Sequence, residues 1–268
     1  MRIDYHTHHE RCGHAVGTLE EYVRKGIEIG LDQLGLSDHM PLIHVDPATY
    51  LPEMAMPMDE LPRYVEECFE LKSKYKGQID LRIGLEGDYI EGWEEQIEAI
   101  TTAYPWDYVI GSVHFLGTWD ITDFRQTQGW EGRDRLAVYE QYYDAIGKAA
   151  ASRLYDYIGH IDVIKRFGYQ PDSSVTHLED AALEAVKRYD GALELNASGL
   201  RTPAQEMFPS RRMLERARDL GIPITLGSDA HQPERLGQYL DDARALLKEC
   251  GITQLATFDG RKRHMIQI

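Results

Sequence analysis

Seven short apolar, β-rich segments recur along this chain, at 3–8, 33–39, 81–89, 108–115, 157–163, 192–196 and 224–229, with helix-like stretches between them. Strand–helix alternation over the whole length requires a mostly parallel sheet, because parallel neighbours need a crossover that carries the chain back. Seven such units predict a sheet closed on itself, a distorted seven-stranded (β/α)7 TIM-like barrel. No composition shift or linker divides the sequence, so one domain spanning 1–268 is expected. Helix signals fall between the segments. Thr18-Leu19-Glu20-Glu21 and Thr176-His177-Leu178-Glu179 read as capping boxes. Leu178, Ala182, Ala185, Val186 and Tyr189 share one helical face, and a helix over 210–220 stops at Gly221 with Pro223 just beyond.

The residues that end these segments carry the chemistry. His6, His8, His14, His39, Glu86, His114, His160, Asp229 and His231 lie at or just beyond six of the seven tails. In Tyr5-His6-Thr7-His8 and Ser228-Asp229-Ala230-His231 two ligand-type residues stand one residue apart, so on a strand they point to one face and grip one ion or two adjacent ions. In a β/α barrel those tails form the active face. Only the sixth segment ends without His, Asp or Glu, offering Asn196 and then Arg201. His9, His44, His177 and His264 are left outside the ligand set. His264 follows Arg261-Lys262-Arg263, which reads as a solvated basic run. Cys12 lies in the same histidine-rich loop, but His14 two residues on offers the better placed donor.

Charge and cysteine usage narrow the function classes. The chain carries 29 basic and 45 acidic residues, a net charge of −16. Such a surface disfavours nucleic acid, which needs clustered Lys and Arg, and admits a small anionic substrate only where the pocket itself is positive. Bound metals supply that charge locally. No apolar run is long enough to span a bilayer. Cys12, Cys68 and Cys250 are odd in number and widely spaced, which suggests a reducing compartment and a cytoplasmic location.

Two connections, 40–62 and 116–131, are unusually long. The first carries prolines 41, 47, 52, 57 and 62, the second Trp119 and Trp130. Both follow ligand-bearing tails and are expected to be lids.

The ordered fragments Tyr5-His6-Thr7-His8, Cys12-Gly13-His14, Ser37-Asp38-His39, Gly84-Leu85-Glu86-Gly87-Asp88-Tyr89, Gly111-Ser112-Val113-His114-Phe115, Gly159-His160-Ile161-Asp162 and Gly227-Ser228-Asp229-Ala230-His231 resemble the polymerase and histidinol phosphatase (PHP) superfamily. Within it, 159–168, 194–201 and 227–231 are most similar to the monofunctional histidinol-phosphate phosphatases. The resemblance covers essentially the whole chain, implying a PHP metal-dependent phosphoesterase domain over 1–268 with a trinuclear centre. It implies one ion on His6, His8, Glu86 and Asp229, a second on Glu86 as bridge with His114 and His160, and a third on His14, His39 and His231. Such an imidazole-rich set with a bridging carboxylate suits divalent zinc, iron or manganese, and Asp88 is expected to support the ligands from behind.

Such a cluster predicts phosphate ester hydrolysis, since adjacent metals lower the pKa of a bridging water and hold the phosphoryl oxygens as charge builds. Neither a G-x-S-x-G elbow nor a Walker loop is present. Glu86 and Asp229 are expected in the catalytic centre, with Asp38 as acid or proton relay, or else as structural support for His39. Arg166 and Arg201 suit phosphate oxygens, an assignment the resemblance also implies, with Ser112 and Ser228 as further donors. Asp120 and Asp123, near Trp119, are candidates to meet a substrate amine. The expected substrate is the small phosphorylated alcohol histidinol phosphate, in histidine biosynthesis, with no nucleic acid or membrane partner. The alternatives are a broader phosphoesterase acting on sugar phosphates or nucleotides, a proofreading-type nuclease, and a binding module with structural metals. Acidic charge argues against the nuclease, and a full ligand set for three ions argues against the module, because structural sites are usually closed and single.

Overall fold

A computed structural model describes residues 1–46 and 53–268. In chain order the elements are β1 (Ile3–Asp4), α1 (Leu19–Glu28), β2 (Gln33–Leu36), α2 (Leu61–Lys74), β3 (Asp80–Asp88), α3 (Glu94–Thr101), β4 (Tyr108–Ser112), β5 (Phe115–Leu116), β6 (Trp119–Asp120), α4 (Arg135–Ser152), β7 (Tyr157–Ile158), α5 (Thr176–Arg188), β8 (Ala192–Asn196), α6 (Arg211–Leu220), β9 (Ile224–Gly227), α7 (Leu240–Glu249), β10 (Gln254–Asp259) and β11 (Lys262–Gln267). The seven barrel strands run parallel in the order β1-β2-β3-β4-β7-β8-β9. Backbone bonds from Tyr5 N to Leu226 O, Asp229 N to His6 O and His8 N to Ala230 O, each 2.9 Å, join the first strand to the last. The expected seven-stranded barrel is therefore the fold.

An aromatic plug fills its base. The rings of Tyr5, Tyr108, Tyr157 and Phe258 pack edge-on and stacked at centroid distances of 5.0–6.2 Å. Buried phenols need acceptors. Tyr108 and Tyr157 both donate to the Tyr5 carbonyl, at 2.7 and 3.1 Å, and the Tyr5 hydroxyl donates to Gln33 Oε1 at 2.7 Å. The plug thus anchors the residue directly before His6. Its size is matched by glycine: a Cβ on Gly84 would lie 2.4 Å from Tyr108 Cζ.

Both halves of the Thr18 capping box form, and α6 starts at the Ser210 cap and ends at a left-handed Gly221. The second box does not form. Thr176 lies inside α5, Val175 is the cap without a side-chain bond, and Thr176 N donates to Ser174 Oγ instead. Of the predicted α5 face, Ala182 and Val186 are fully buried and Leu178, Ala185 and Tyr189 half-buried. The expected strand at 157–163 shortens to two residues and turns into a 3-10 helix at Val163–Lys165. The basic run at 261–263 is not a solvated tail. It belongs to the β10–β11 hairpin, with Arg261 paired to Asp156 and Arg263 to Asp190.

The second long connection is ordered by the β5–β6 hairpin and a 3-10 helix over Phe124–Trp130, with Trp119 edge-on to Trp130 and Trp130 stacked on Tyr169 at 5.1 Å. Part of the first, including Pro47 and Pro52, lies outside the described residues. Arg125 reaches Glu53 of the first connection at 2.8 Å, so the two meet. No helix among the described residues is long and apolar enough to cross a membrane.

Replacing Gly84 with Ala forces a methyl into the buried Tyr108 ring. The expected loss is about 2 kcal/mol of stability, read as a lower denaturation midpoint in urea.

Candidate metal centre

Glu86 sits near the end of β3 and is 1% exposed. Five imidazoles converge on its two oxygens: His6 at 3.3 Å, His8 at 3.4 Å, His39 at 3.0 Å, His114 at 3.4 Å and His160 at 3.0 Å. Asp229 joins from the far side, with Oδ1 3.3 Å from His8 Nε2 and 3.9 Å from His6 Nε2. Its backbone is left-handed, φ 52°, a conformation costly for a side chain and typical of functional sites. His14 and His231 face each other across 3.1 Å between Nε2 atoms, and His8 stacks between His39 and His231 at 4.1 and 4.3 Å. All nine predicted ligand residues meet in one cluster.

Donor geometry fits metal ions. His6 Nε2, His8 Nε2 and Glu86 Oε2 are buried and make no hydrogen bond, although each faces other donor atoms. Four sets have ligand atoms within 4.8 Å of one another: His6–Glu86–His160, His6–His8–Asp229, His39–Glu86–His114 and His8–His39–His231. The second lies within one ion of the partition the resemblance implies, whereas the first joins His6 of that ion to His160 of the next through Glu86, the residue the two ions would share. His39 differs, since its Nδ1 faces Glu86 rather than pointing only toward the His14–His231 pair.

Electrostatics divide the cluster. Burial alone would raise the carboxyls, but the imidazoles outweigh it and hold Glu86 and Asp229 well below the usual range. Burial opposes charging His8 and His114, yet the neighbouring carboxylates lift them to about 9 and about 10. Burial and nearby imidazoles push His14 down to about 4 and His231 well down. The set is therefore part protonated and part free-base at neutral pH before metal enters.

A surrounding layer orients the ligands. Asp88 Oδ1 lies 3.0 Å from His114 Nδ1, the supporting role expected of it. Ser112 corrects an expectation: it is fully buried and donates to Glu86 Oε1 at 2.7 Å, so it aims the carboxylate and does not face substrate. Ser228 is likewise buried, its N–H donating to Asp4 Oδ1 at 2.9 Å. Asp38 lies behind the cluster between His8 Nδ1, at 3.4 Å, and His9 Nδ1. Arg201 donates to the carbonyls of Ser228 and Asp229, at 2.7 and 3.0 Å, and so braces the strained turn. Arg166 is half-buried, forms no ion pair among the described residues and leaves Nε without a bond. Cys12 donates to His9 O at 3.2 Å, and burial pushes its thiol pKa up, which disfavours it as a ligand. His177 and His264 are exposed and away from the site.

Three participants were missed. Glu194 is fully buried, with Oε1 2.8 Å from His6 Nδ1 and Oε2 accepting from His160 N at 3.0 Å. Ser198 Oγ donates to Asp229 Oδ2 at 3.1 Å. His9 packs on Asp38. Glu194 stands two residues before Asn196 and so shares its face, a period-2 signal that reading only strand ends overlooks. Gly227 leaves room for it: a Cβ there would lie 1.9 Å from Glu194 Oε1 and 2.5 Å from His6 Cβ.

A closed parallel barrel with this ligand cluster at its strand ends defines a metal-dependent barrel enzyme. The PHP domain model matches residues 4–198 and the PHP-associated model residues 210–240. The chain is 38% identical to the "Probable histidinol-phosphatase" of Deinococcus radiodurans, over 97% of each chain. It is 34% identical to the histidinol-phosphatase of Bacillus subtilis, over 93% of this chain and 100% of that one. The crystal structure of histidinol phosphate phosphatase from Lactococcus lactis, complexed with zinc, L-histidinol and phosphate, superposes with a TM-score of 0.83 at 27% identity over 98% of each chain. The chain belongs to the PHP superfamily, in its histidinol-phosphatase family.

Two outcomes are expected. Glu194→Gln removes the anion that fixes His6, and should weaken metal affinity by about 10–100-fold while the far-ultraviolet spectrum stays native. Because His8 and His114 carry protons at pH 7 in the metal-free chain, loading zinc must expel them. Affinity should rise with pH between 6 and 9, and calorimetry in buffers of different ionisation enthalpy should show net proton release.

Proposed function

We infer that the chain hydrolyses the phosphate monoester of L-histidinol to histidinol and phosphate. One observation carries the reading: a fully buried carboxylate in contact with five imidazoles at the mouth of a barrel whose relatives are histidinol-phosphatases. Imidazole with bridging carboxylate suits zinc, iron or manganese. His6, His8, Glu86 and Asp229 would hold one ion, Glu86, His114 and His160 a second, and His14, His39 and His231 a third. Bound there, divalent ions acidify water and neutralise phosphoryl charge.

The chain's own residues bind and orient. Arg166, which forms no ion pair among the described residues and leaves Nε without a bond, is the guanidinium left to clamp phosphoryl oxygens. Arg201 acts indirectly, holding the turn that aims Asp229 and His231. Asp38 keeps His8 in its tautomer: although burial would raise its carboxyl, His9 and His8 hold it ionised far below the usual range, which suits an acceptor and not an acid. In the second lid, Asp123 is engaged by Arg125 at 3.0 Å, whereas Asp120 spends only Oδ1 on its own loop. Asp120 is therefore the better acceptor for the substrate amine. We further read 1–268 as one phosphoesterase domain, and the three buried, unpaired cysteines fit a reducing, cytoplasmic setting.

With manganese or zinc present, phosphate release from histidinol phosphate should exceed that from sugar phosphates and nucleotides by orders of magnitude in kcat/KM. A flat profile across the panel would sink the substrate while leaving the phosphoesterase class. Arg166→Ala should lower kcat/KM by roughly a hundredfold without loss of bound metal.

A further inference from the structure

At the opposite end of the barrel from the metals, a cavity of about 590 Å³ opens between the start of β7, the end of α5 and the β10–β11 turn. Five cations line it: Arg153, Arg188, Arg261, Lys262 and Arg263. Two carboxylates, Asp156 and Asp190, leave a local excess of +3 (five minus two) in a chain of net charge −16. Both carboxylates are already engaged, Asp156 by Arg261 and Asp190 by Arg263 at 2.8 Å. Among the described residues, the side chains of Arg153, Arg188 and Lys262 have no ion pair or hydrogen bond. Cations crowded around one cavity repel each other unless an anion enters.

Backbone conformation gives an independent sign. Arg153 and Arg261 are left-handed, φ 58° and 64°, where glycine would fit without strain. Arg261 has a structural reason, donating to the carbonyls of Thr101 and Leu154 at 3.2 and 2.7 Å. Arg153 has only the Tyr189 ring, at 5.6 Å, so the fold itself asks for no cation there. Tyr155 and Tyr189, both half-buried, add flat apolar wall between the charges. Cationic rim plus aromatic wall, at this volume, suits a ligand larger than a bare ion.

We propose that this cavity is an effector site for a small organic phosphate bearing a flat ring, with nucleoside monophosphates as the type. Arg153, Arg188 and Lys262 take the phosphate, and the ring lies against Tyr155 and Tyr189. A packed route leads from it to the metals. Tyr155 donates its hydroxyl to the Asp88 carbonyl at 3.0 Å, and the Asp88 carboxylate holds His114.

Calorimetric titration of the metal-loaded protein with adenosine monophosphate tests the site. One saturable event is expected, weakened at least tenfold in Arg153→Glu/Arg188→Glu/Lys262→Glu, while competitive inhibition by inorganic phosphate at the metal centre is unchanged. Saturating nucleotide should shift kcat in the native protein and not in the triple variant. Equal affinity in the triple variant, or an unmoved kcat, overturns the proposal. Inorganic phosphate binding the cavity as tightly as the nucleotide overturns the ring requirement. Arg153→Gly relieves the left-handed strain, so Tm should rise while nucleotide affinity falls; a lower Tm would make Arg153 a fold-keeping residue and contradict the argument.

Discussion

The Glu86 carboxylate is the constraint on which the rest of this molecule depends. A charge 1% exposed at a barrel mouth is costly unless it is matched on every side. Five imidazoles, the Ser112 hydroxyl and whatever cations those imidazoles hold supply the match. The imidazoles come from four strand ends: His6 and His8 follow β1, His39 follows β2, His114 follows β4 and His160 follows β7. A shift in any strand's register would leave part of this charge uncompensated, so barrel geometry and metal chemistry are one requirement.

Two devices hold the register. At the base, three tyrosine rings and Phe258 fill the barrel, and two hydroxyls converge on the carbonyl of Tyr5, the residue before His6. At the mouth, Glu194 grips both His6 and the His160 backbone, while Arg201 braces the left-handed Asp229 turn. Local backbone strain persists because these contacts over-determine it. Close approaches need glycine at two levels, Gly84 beside the Tyr108 ring and Gly227 beside Glu194.

Much of this was legible in the sequence because strand tails in a β/α barrel face one site, so ligand-type residues recurring at those tails report fold and chemistry together. β8 matched its predicted span, 192–196, because Gly191 precedes it and Asn196 ends it by capping the turn that follows. β7 was over-extended, since Ile161 in the following turn and Val163 at the start of the 3-10 helix are buried and look apolar in either conformation. Supporting residues were harder to find. Ser112 was placed toward substrate because sequence does not say which way a hydroxyl donates. Glu194 escaped because it precedes the strand end by one alternation. The C-terminal hairpin escaped because a run such as Arg261-Lys262-Arg263 resembles a solvated tail until its carboxylate partners, more than 70 residues away in sequence, are brought to it.

The most direct measurement is anomalous scattering from a crystal of the metal-loaded protein at the metal's absorption edge. The account predicts more than one peak per chain, with two of them flanking the Glu86 carboxylate. A single peak, or peaks that leave Glu86 uncoordinated, would contradict it.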